Sequence, residues 1–377
     1  MKVLKSIILS LAGVIVVAIA AVAIIWGKEI ATMRTVKQVD GNKYLYTMEY
    51  KANYDLDDVI EANISSNPEL LNFIVGRIVK GLPVKMSAPE GPSNIEVNCT
   101  SFQAKNADGD GWLYGRNYDY FKNPSMVTVS HPKNGYASIA VSDMSHFGYS
   151  LEKLPDSFVS KALCLAAIYA PVDGINEKGL CTSIMALPKQ PAQQNSGKTR
   201  ISTTIVMRLF LDRCATVDEA LELLSHYDVR HDVEAGSGYH YMVADAQGNC
   251  AVIEFDFEDG WKTMITRKAS DKNSMLVTNH LLDPKYYTEV PDQRVGNTHS
   301  RSWWRYETAG AFLDSHNGIL TRSEAQECLA QVHWENLLWD DGVTVEDTQY
   351  SCVYDQSALE LMIRNWSDYS TTHRFKL

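Results

Sequence analysis

Hydrophobic residues are unevenly distributed, and the first pattern is a long apolar run at the start of the chain. Residues 7–26 form 20 consecutive positions without a charged side chain. A run of this length can span a bilayer, whereas the apolar core of a cleavable signal peptide is usually about 7–15 residues long. The run also ends in the bulky residues Ile24, Ile25 and Trp26 where a cleavage site is expected, although Ala20–Ala23 leave cleavage open. Residues 1–28 are therefore expected to be a signal anchor or a signal peptide.

Either alternative places the rest of the protein outside the cytoplasm. An anchor would hold it at the membrane through residues 7–26, on the periplasmic or extracellular side, and cleavage would release it as a secreted protein.

The next part of the chain has a helical pattern. Residues 56–82 contain two short amphipathic segments separated by a break at Ser65–Pro68, and residues 29–98 show no clear strand alternation. A Pro/Gly/Ser-rich stretch at residues 83–94 is typical of a linker. We interpret residues 29–98 as a helical prosegment and residues 99–377 as the main domain.

Short β-type segments separated by turns dominate from about Ile95 onwards. Hairpins are predicted over residues 99–120, 167–188, 239–256 and 350–364. Helices are predicted at residues 202–224 with an interruption at 214–216, near residues 303–313 and near residues 323–332. Strand pairs, then helices, then strand pairs predict an α+β fold in which antiparallel sheets are covered by helices.

Composition narrows the class of protein. The chain has 377 residues, 45% apolar and 21% charged, which is enough to bury a sizeable core. Its 46 acidic against 35 basic residues give a net charge of −11, which argues against a nucleic-acid partner. Seven scattered cysteines without a CxxC pair, and histidines outside any metal motif, predict neither a disulfide framework nor a metal site. No cofactor is predicted.

One cysteine stands in a chemically suggestive context. Cys99 begins the first predicted strand of the main domain, and the returning strand carries Arg116 and Asp119. A lone strand cysteine is usually a small buried hydrophobe, and we keep that interpretation for the other six. Antiparallel pairing, however, brings a cation and a carboxylate back towards Cys99, and an activated thiol nucleophile needs such neighbours.

Several motifs around these residues resemble a known family. They are CTSFQAKNADGDGWLYGRNYDY (residues 99–120), DGINEKGL (173–180), VADAQGNCAVIE (243–254), TNH (278–280) and SWWRY (302–306). In this order they resemble the choloylglycine hydrolase family of bile salt hydrolases, penicillin V acylases and related linear amide C–N hydrolases. Acid ceramidase and N-acylethanolamine acid amidase share the CTS start and the GRN-x-D turn. The resemblance covers residues 99 to about 365.

The resemblance implies an N-terminal nucleophile hydrolase, an α+β fold built as an αββα sandwich in which the chain cleaves itself before the nucleophile. Cleavage would fall between Asn98 and Cys99 and leave a chain of 279 residues. The freed α-amine of Cys99, with an ordinary pKa of about 7.7–8.0, would then take the thiol proton. No catalytic histidine is needed.

The resemblance also assigns roles to individual residues. Cys99 would be the nucleophile through sulfur and the base through its amine, which Asp119 would hold, and Arg116 would stabilise the thiolate. Asn279 would donate its side-chain amide to the oxyanion. Arg305 would be the late arginine at the active site, with the neighbouring Arg301 as the rival assignment.

One position departs from the bile salt hydrolase pattern. Those enzymes have an asparagine a few residues after the NEKGL-type turn, where this chain has Ala186. Its backbone N–H could still complete the oxyanion hole, but a side chain that helps to select the substrate is missing. Bile salt specificity is therefore in doubt.

The sequence thus predicts an exported, self-processing cysteine amidase that splits a linear N-acyl amide through a thioester on Cys99. Bile-acid conjugates, penicillin V and N-acyl amines all offer such an amide. Two alternatives stay open: an acyltransferase that passes the acyl group to another amine, and a non-catalytic surface binding protein on an inactive hydrolase scaffold. Relatives are often homo-oligomers, so self-association is a further expectation.

Overall fold

The computed structural model describes residues 20–80, 98–188, 190–234, 236–286, 298–339, 342–366 and 368–377. The helices are α1 (residues 20–33), α2 (Leu56–Glu61), α3 (Asn67–Val79), α4 (Thr203–Arg213), α5 (Val217–Leu224), α6 (Thr298–Ser315) and α7 (Arg322–Gln331), with 3₁₀ helices at Met144–Phe147, Ser160–Tyr169 and Pro284–Tyr286. The strands are β1 (Lys37–Gln38), β2 (Leu45–Tyr50), β3 (Asn98–Asn106), β4 (Trp112–Tyr120), β5 (Ser125–Ser130), β6 (Ser138–Asp143), β7 (Asp173–Asn176), β8 (Cys181–Pro188), β9 (Thr199–Ser202), β10 (Tyr227–Arg230), β11 (Ser237–Ala244), β12 (Cys250–Asp256), β13 (Lys262–Arg267), β14 (Ser274–Val277), β15 (Ile319–Leu320), β16 (Leu337–Leu338), β17 (Val345–Asp355), β18 (Glu360–Asn365) and β19 (Asp368–Lys376).

Two large sheets dominate the part of the chain that the structure describes. The first sheet has the strand order β1-β2-β5-β6-β7-β8-β11-β12-β13, and the second has the order β14-β3-β4-β17-β18-β19. The short strand β15 pairs with β3, and β16 pairs with β17. Nearly all neighbouring strands are antiparallel, as the predicted hairpins require.

The sheets pack face to face, and each carries helices on its outer face. Across the inner layer the Ser101 and Ser183 hydroxyls are 2.9 Å apart. On the second sheet, Phe102 and Val353 point outward into a core shared with α6 and α7, whereas Tyr350 and Tyr354 join the larger core on the other face. This alternation follows from the two-residue period of a strand, and it gives the predicted α+β arrangement of two sheets covered by helices.

The segment before Cys99 is part of this architecture. Strand β2 pairs in parallel with β5, and Leu45 and Met48 on β2 are completely buried. The Tyr54 hydroxyl donates to Asp212 at 2.6 Å, which fastens the segment to α4. The two predicted helices of residues 29–98 are confirmed as α2 and α3, but the expectation that this segment has no strand is wrong.

A second difference concerns the hairpin predicted over residues 167–188. Its turn and second arm are confirmed by the pairing of β7 with β8. The start of the predicted first arm is instead the end of the 3₁₀ helix Ser160–Tyr169. A short apolar run does not distinguish a buried strand from a buried helix, and here Cys164–Tyr169 are all buried against the core.

Residues 7–19 of the predicted membrane segment lie outside the described residues. Residues 20–26 belong to α1, where Val22 and Ile24 are exposed and the Trp26 indole N–H donates to the Ile78 carbonyl at 2.8 Å. Among the residues that the structure describes, no helix combines the length and the hydrophobicity needed to cross a bilayer.

Candidate active site

The β3–β4 hairpin brings the predicted site residues together, as the sequence indicated. Its register places Asn98 opposite Asp119, and Ser101 opposite Arg116. Directly opposed residues point to the same face of a sheet, and successive residues point to opposite faces. Cys99 and Arg116 therefore share the inner face, while Asn98 and Asp119 share the other face.

The peptide around Cys99 is held at its nitrogen and its carbonyl. The Cys99 backbone N–H donates to the Asn279 side-chain oxygen at 2.5 Å, and the Arg305 guanidinium donates to the Cys99 carbonyl. Only 1% of Cys99 is exposed. With Asn98 still attached, the thiol is therefore closed off from bulk solvent.

The thiol feels opposing electrostatic effects. Burial raises the pKa of Cys99, Asp119 adds to this, and the guanidinium groups of Arg116 and Arg305 lower it. Arg116 is itself completely buried, donates to the Ile184 carbonyl at 2.7 Å and has its Nε 3.7 Å from an Asp173 carboxylate oxygen. These contacts hold Arg116 on the thiol's face, where it favours the thiolate.

Arg305 connects the two sides of the Asn98–Cys99 bond. Besides the Cys99 carbonyl, it donates to the Asn98 side-chain oxygen and to the Asn279 side-chain oxygen, both at 2.8 Å. Arg301, one helical turn earlier on α6, instead lies over the Trp339 ring at 5.8 Å. The structure therefore places Arg305, not Arg301, at the cysteine.

Asp119 lies on the opposite face of the sheet from the Cys99 thiol. It accepts a hydrogen bond from the Thr348 hydroxyl at 2.6 Å, and its other oxygen is 3.8 Å from Arg305. Burial raises the pKa of Asp119 to about 6, against the lowering effects of Arg305 and Thr348. In the uncleaved chain the Cys99 nitrogen contacts Asn279, so the predicted contact between Asp119 and a free amine stays a prediction.

The two residues predicted to form the oxyanion hole contact each other through the Asn279 side chain and the Ala186 carbonyl. The Asn279 side-chain amide donates to the Ala186 carbonyl at 2.7 Å, and Ala186 pairs with Tyr239 in the first sheet. The backbone N–H of Asn279 donates to the Ser302 hydroxyl at 2.8 Å, which ties the loop after β14 to α6. Asn279 thus contacts both Cys99 and Ala186, and the roles of its side-chain amide and of the Ala186 backbone N–H as oxyanion donors stay predictions.

Sequence reasoning missed a buried pair that supports the Asn279 loop. His240 on β11 lies 3.1 Å from the Glu254 carboxylate and 2.8 Å from the Thr278 carbonyl. Glu254 also accepts a hydrogen bond from the Leu282 backbone N–H at 2.8 Å. Because the pair contacts the chain on both sides of Asn279, it helps to fix that residue's position.

A second missed residue is Glu346 at the start of β17. Its carboxylate accepts a hydrogen bond from the Asn98 side-chain amide at 2.7 Å and is almost completely buried. The sequence carries no distinct signal for it, because Glu346 is one of several polar residues in the strand segment VEDTQYSCVYD. Its proximity to Asn98 could not be deduced, because almost the whole main domain separates the two residues in sequence.

Side chains that could ligate a metal are dispersed. Among the described residues, no three His, Cys, Asp or Glu side chains are grouped so that they could hold a metal ion.

Solved structures share this fold. A cysteine-to-alanine variant of conjugated bile acid hydrolase from Clostridium perfringens aligns with a TM-score of 0.54 and 15% identity, covering 74% of this chain and 92% of that one. A second variant of the same enzyme gives 0.53 and 14%, with the same coverage of 74% and 92%. A penicillin V acylase from Agrobacterium tumefaciens gives 0.45 and 17%, covering 74% of this chain and 85% of that one. The first two alignments establish an α+β fold of the conjugated bile acid hydrolase type.

The family follows from a sequence model. The model of the acyl-coenzyme A:6-aminopenicillanic acid acyl-transferase family matches residues 160–364, more than half of the chain. This protein therefore belongs to that family, and the relationship indicated by the motifs is confirmed. The matched range includes Asn279 and Arg305 and begins after the β3–β4 hairpin that carries Cys99.

Proposed function

We propose that this protein is a self-processing cysteine amidase that hydrolyses a linear N-acyl amide through a thioester on Cys99. The observation that carries the proposal is the environment of the Asn98–Cys99 peptide. The Cys99 nitrogen donates to Asn279, and the Cys99 carbonyl accepts from Arg305. Arg116 lies on the same face of the sheet as the Cys99 thiol. The bile acid hydrolase fold and the family membership are consistent with chemistry at a carbon–nitrogen bond.

Self-processing is a transfer within the chain. The Cys99 sulfur attacks the Asn98 carbonyl carbon, the bond from that carbon to the Cys99 nitrogen breaks, and the nitrogen takes up the thiol proton. Water then splits the resulting thioester into an Asn98 carboxylic acid and a free Cys99 thiol. The product has an α-amine on the same residue as the nucleophile.

Amide hydrolysis then repeats the same two steps on a substrate. The free α-amine of Cys99 takes the thiol proton, because its ordinary pKa of about 7.7–8.0 lies near neutral pH. The sulfur attacks the substrate carbonyl, and Asn279 and the Ala186 backbone N–H stabilise the oxyanion. The protonated α-amine gives its proton to the substrate nitrogen, the amine leaves, and water activated by the now neutral α-amine releases the acid.

The substrate class is a linear amide rather than one particular compound. Conjugated bile acids, penicillin V and N-acyl amines remain candidates. Ala186 replaces a side chain that bile salt hydrolases use in substrate selection, and this weakens the case for conjugated bile acids. A panel of these amides separates the candidates.

The first experiment is intact-mass measurement with N-terminal sequencing of the wild type and of Cys99→Ala. We expect the wild type to contain a 279-residue chain that begins with Cys99, and the variant to stay whole. If both stay whole, the α-amine is never freed, and the proposed mechanism fails. That outcome would favour a non-catalytic binding protein.

A second candidate is acyl transfer, which the acyl-transferase family name favours. The same thioester would then be attacked by an amine instead of water. Adding a nucleophilic amine during turnover and measuring the ratio of new amide to free acid separates the two functions.

We also propose that the protein is exported and held at the membrane through residues 7–26. The exposed Val22 and Ile24 support this, because they belong to that run and the rest of the described chain leaves their apolar side chains uncovered. Membrane fractionation of the full chain, beside a chain lacking residues 1–19, tests the proposal.

A further inference from the structure

Asn98, the residue before the scissile bond, is held by its side chain as well as by its backbone. It is completely buried at the start of β3. Its side-chain N–H donates to Glu346 Oε2 at 2.7 Å, and its side-chain oxygen accepts from Arg305 Nη2 at 2.8 Å. Both ends of the carboxamide are therefore fixed, the nitrogen by a carboxyl oxygen of Glu346 and the oxygen by the guanidinium of Arg305.

Glu346 is fixed in turn by the short β16–β17 hairpin. It pairs with Leu337 across the two strands, and the Trp339 indole N–H donates to the same Oε2 at 3.0 Å. Two donors thus converge on one carboxylate oxygen. Trp339 also lies under Arg301, so α6 and the hairpin close around the Asn98 side chain together.

The other carboxylate oxygen, Glu346 Oε1, is buried and has no hydrogen-bond partner among the described residues. Burial and the nearby Asp119 raise the pKa of Glu346 to about 8, against the lowering effects of Asn98 and Arg305. A buried carboxyl group with one oxygen unpaired costs stability, and acids with strongly shifted pKa values are often found at functional sites. The contact of Glu346 with Asn98, next to Cys99, suggests which function this cost serves.

We infer that Glu346 is a positioning residue for self-cleavage, which acts by clamping the Asn98 side chain against Arg305 and so fixing the carbonyl that the Cys99 sulfur attacks. The inference rests on the proposed self-processing of the Asn98–Cys99 bond. It adds a requirement that the mechanism alone does not contain, namely an amide side chain at position 98 with a hydrogen-bond acceptor at position 346.

The physical effect is one of orientation. Attack requires the sulfur to approach the carbonyl carbon at about 3–3.5 Å with a defined alignment, and each freed torsion of Asn98 lowers the population of that geometry. Removing the acceptor leaves the buried side-chain N–H of Asn98 without a partner, and this is expected to slow cleavage by about 10- to 100-fold. Cleavage is slowed but not abolished, because Arg305 and Asn279 still hold the peptide.

The test follows cleavage of the full chain after a pulse of cell-free translation, with intact mass as the readout. Glu346→Leu removes the acceptor, and we expect cleavage to slow by about 10- to 100-fold. Glu346→Gln keeps an acceptor oxygen and should restore cleavage to within a few-fold of the wild-type rate. Glu335→Leu is the matched control, because the Glu335 side chain is 71% exposed, and it should cleave at the wild-type rate.

A double-mutant cycle separates clamping from a general structural role. Asn98→Leu removes the contact with Glu346 and also the one with Arg305, and we expect a slowing at least as large as that of Glu346→Leu. The Asn98→Leu/Glu346→Leu double variant should be no slower than Asn98→Leu, because that single change already removes the contact between the two residues. Multiplied effects in the double variant, or wild-type rates in both single variants, would overturn the inference.

The design also keeps the two hypotheses apart. If the wild type itself does not cleave, self-processing fails. If the wild type cleaves and Asn98→Leu cleaves equally fast, only the clamp fails. This second comparison decides the question even if Glu346→Leu does not fold, because Asn98→Leu leaves Glu346 and β17 unchanged.

Discussion

After self-cleavage, residues 1–98 should remain bound to the 279-residue chain as a second subunit. Strand β2 lies inside the first sheet, with its six residues paired in parallel to β5. Met48 on this strand is completely buried. Removing its side chain with Met48→Ala is therefore a direct perturbation of the interface that cleavage would create.

The size of the effect follows from the burial of Met48. Truncation of a fully buried Met to Ala typically costs about 2–5 kcal/mol, because apolar contacts are lost and a cavity remains. Once the covalent link is cut, the same free-energy cost weakens the association of the two chains. At about 1.4 kcal/mol per tenfold change, the dissociation constant should rise by about 30-fold to about 4,000-fold.

The assay is gel filtration of the cleaved protein over a dilution series, with mass spectrometry to identify each chain. The matched control is Glu49→Ala on the same strand, where 53% of the side chain is exposed. Cys99→Ala/Met48→Ala, which should stay uncleaved, gives the stability loss without dissociation. The reasoning fails if the wild-type segment separates without denaturant, or if Met48→Ala and Glu49→Ala dissociate at the same dilution.

Two further predictions concern the site. Asn279→Ala should lower kcat/KM for amide hydrolysis by about 10²- to 10³-fold per cleaved molecule, the usual cost of one oxyanion donor, and an unchanged value would remove Asn279 from that role. Glu346 has a folded-state pKa of about 8 against an ordinary 4.5, so its contribution to stability is present below pH 4.5 and is lost as pH rises through 8. In the uncleaved Cys99→Ala background, Glu346→Gln should therefore flatten the fall in unfolding free energy between about pH 5 and about pH 8.5, on the order of 5 kcal/mol at most. Urea titration at the two pH values measures this fall. An equal fall in Cys99→Ala and in Cys99→Ala/Glu346→Gln would contradict the raised pKa of Glu346.

Local patterns predicted the central hairpin well. Turn residues and alternating apolar positions fix β3 and β4, and their register alone brings Arg116 and Asp119 back to the start of β3. The register also shows on which face of the sheet each side chain lies. Arg116 and Asp119 are an odd number of positions apart on β4, so they point to opposite faces, and of the two only Arg116 shares the face of Cys99.

The wrong or missing predictions concern residues whose structure is decided by contacts with distant parts of the chain and not by their local sequence pattern. On β2 both Leu45 and Tyr46 are buried, because this end of the strand is covered on both faces, and the two-residue alternation is lost. The 3₁₀ helix Ser160–Tyr169 is an apolar run without a strand partner, which sequence periodicity cannot distinguish from a strand. Glu346 reaches Asn98 only because β17 pairs with β4, a contact between distant parts of the chain.

Cleavage would also change the charge at the closed site, and this leads to the last prediction. It creates a carboxylate on Asn98 where a neutral peptide bond stood, and burial together with repulsion from the Asp119 carboxylate makes this new charge costly. That repulsion should drive the Asn98 end out of the site and open a path to Cys99, which is only 1% exposed in the uncleaved chain.

The thiol itself reports this opening. If samples from a wild-type translation pulse are treated briefly with iodoacetamide, the 279-residue chain should carry the label on Cys99 and the uncleaved chain should not. Peptide mass mapping identifies the labelled residue, and the other buried cysteines serve as internal references. Equal labelling of Cys99 before and after cleavage would mean that Asn98 does not close the site. Substrate would then have access to the thiol from the start, and only the missing α-amine would keep the uncleaved chain inactive.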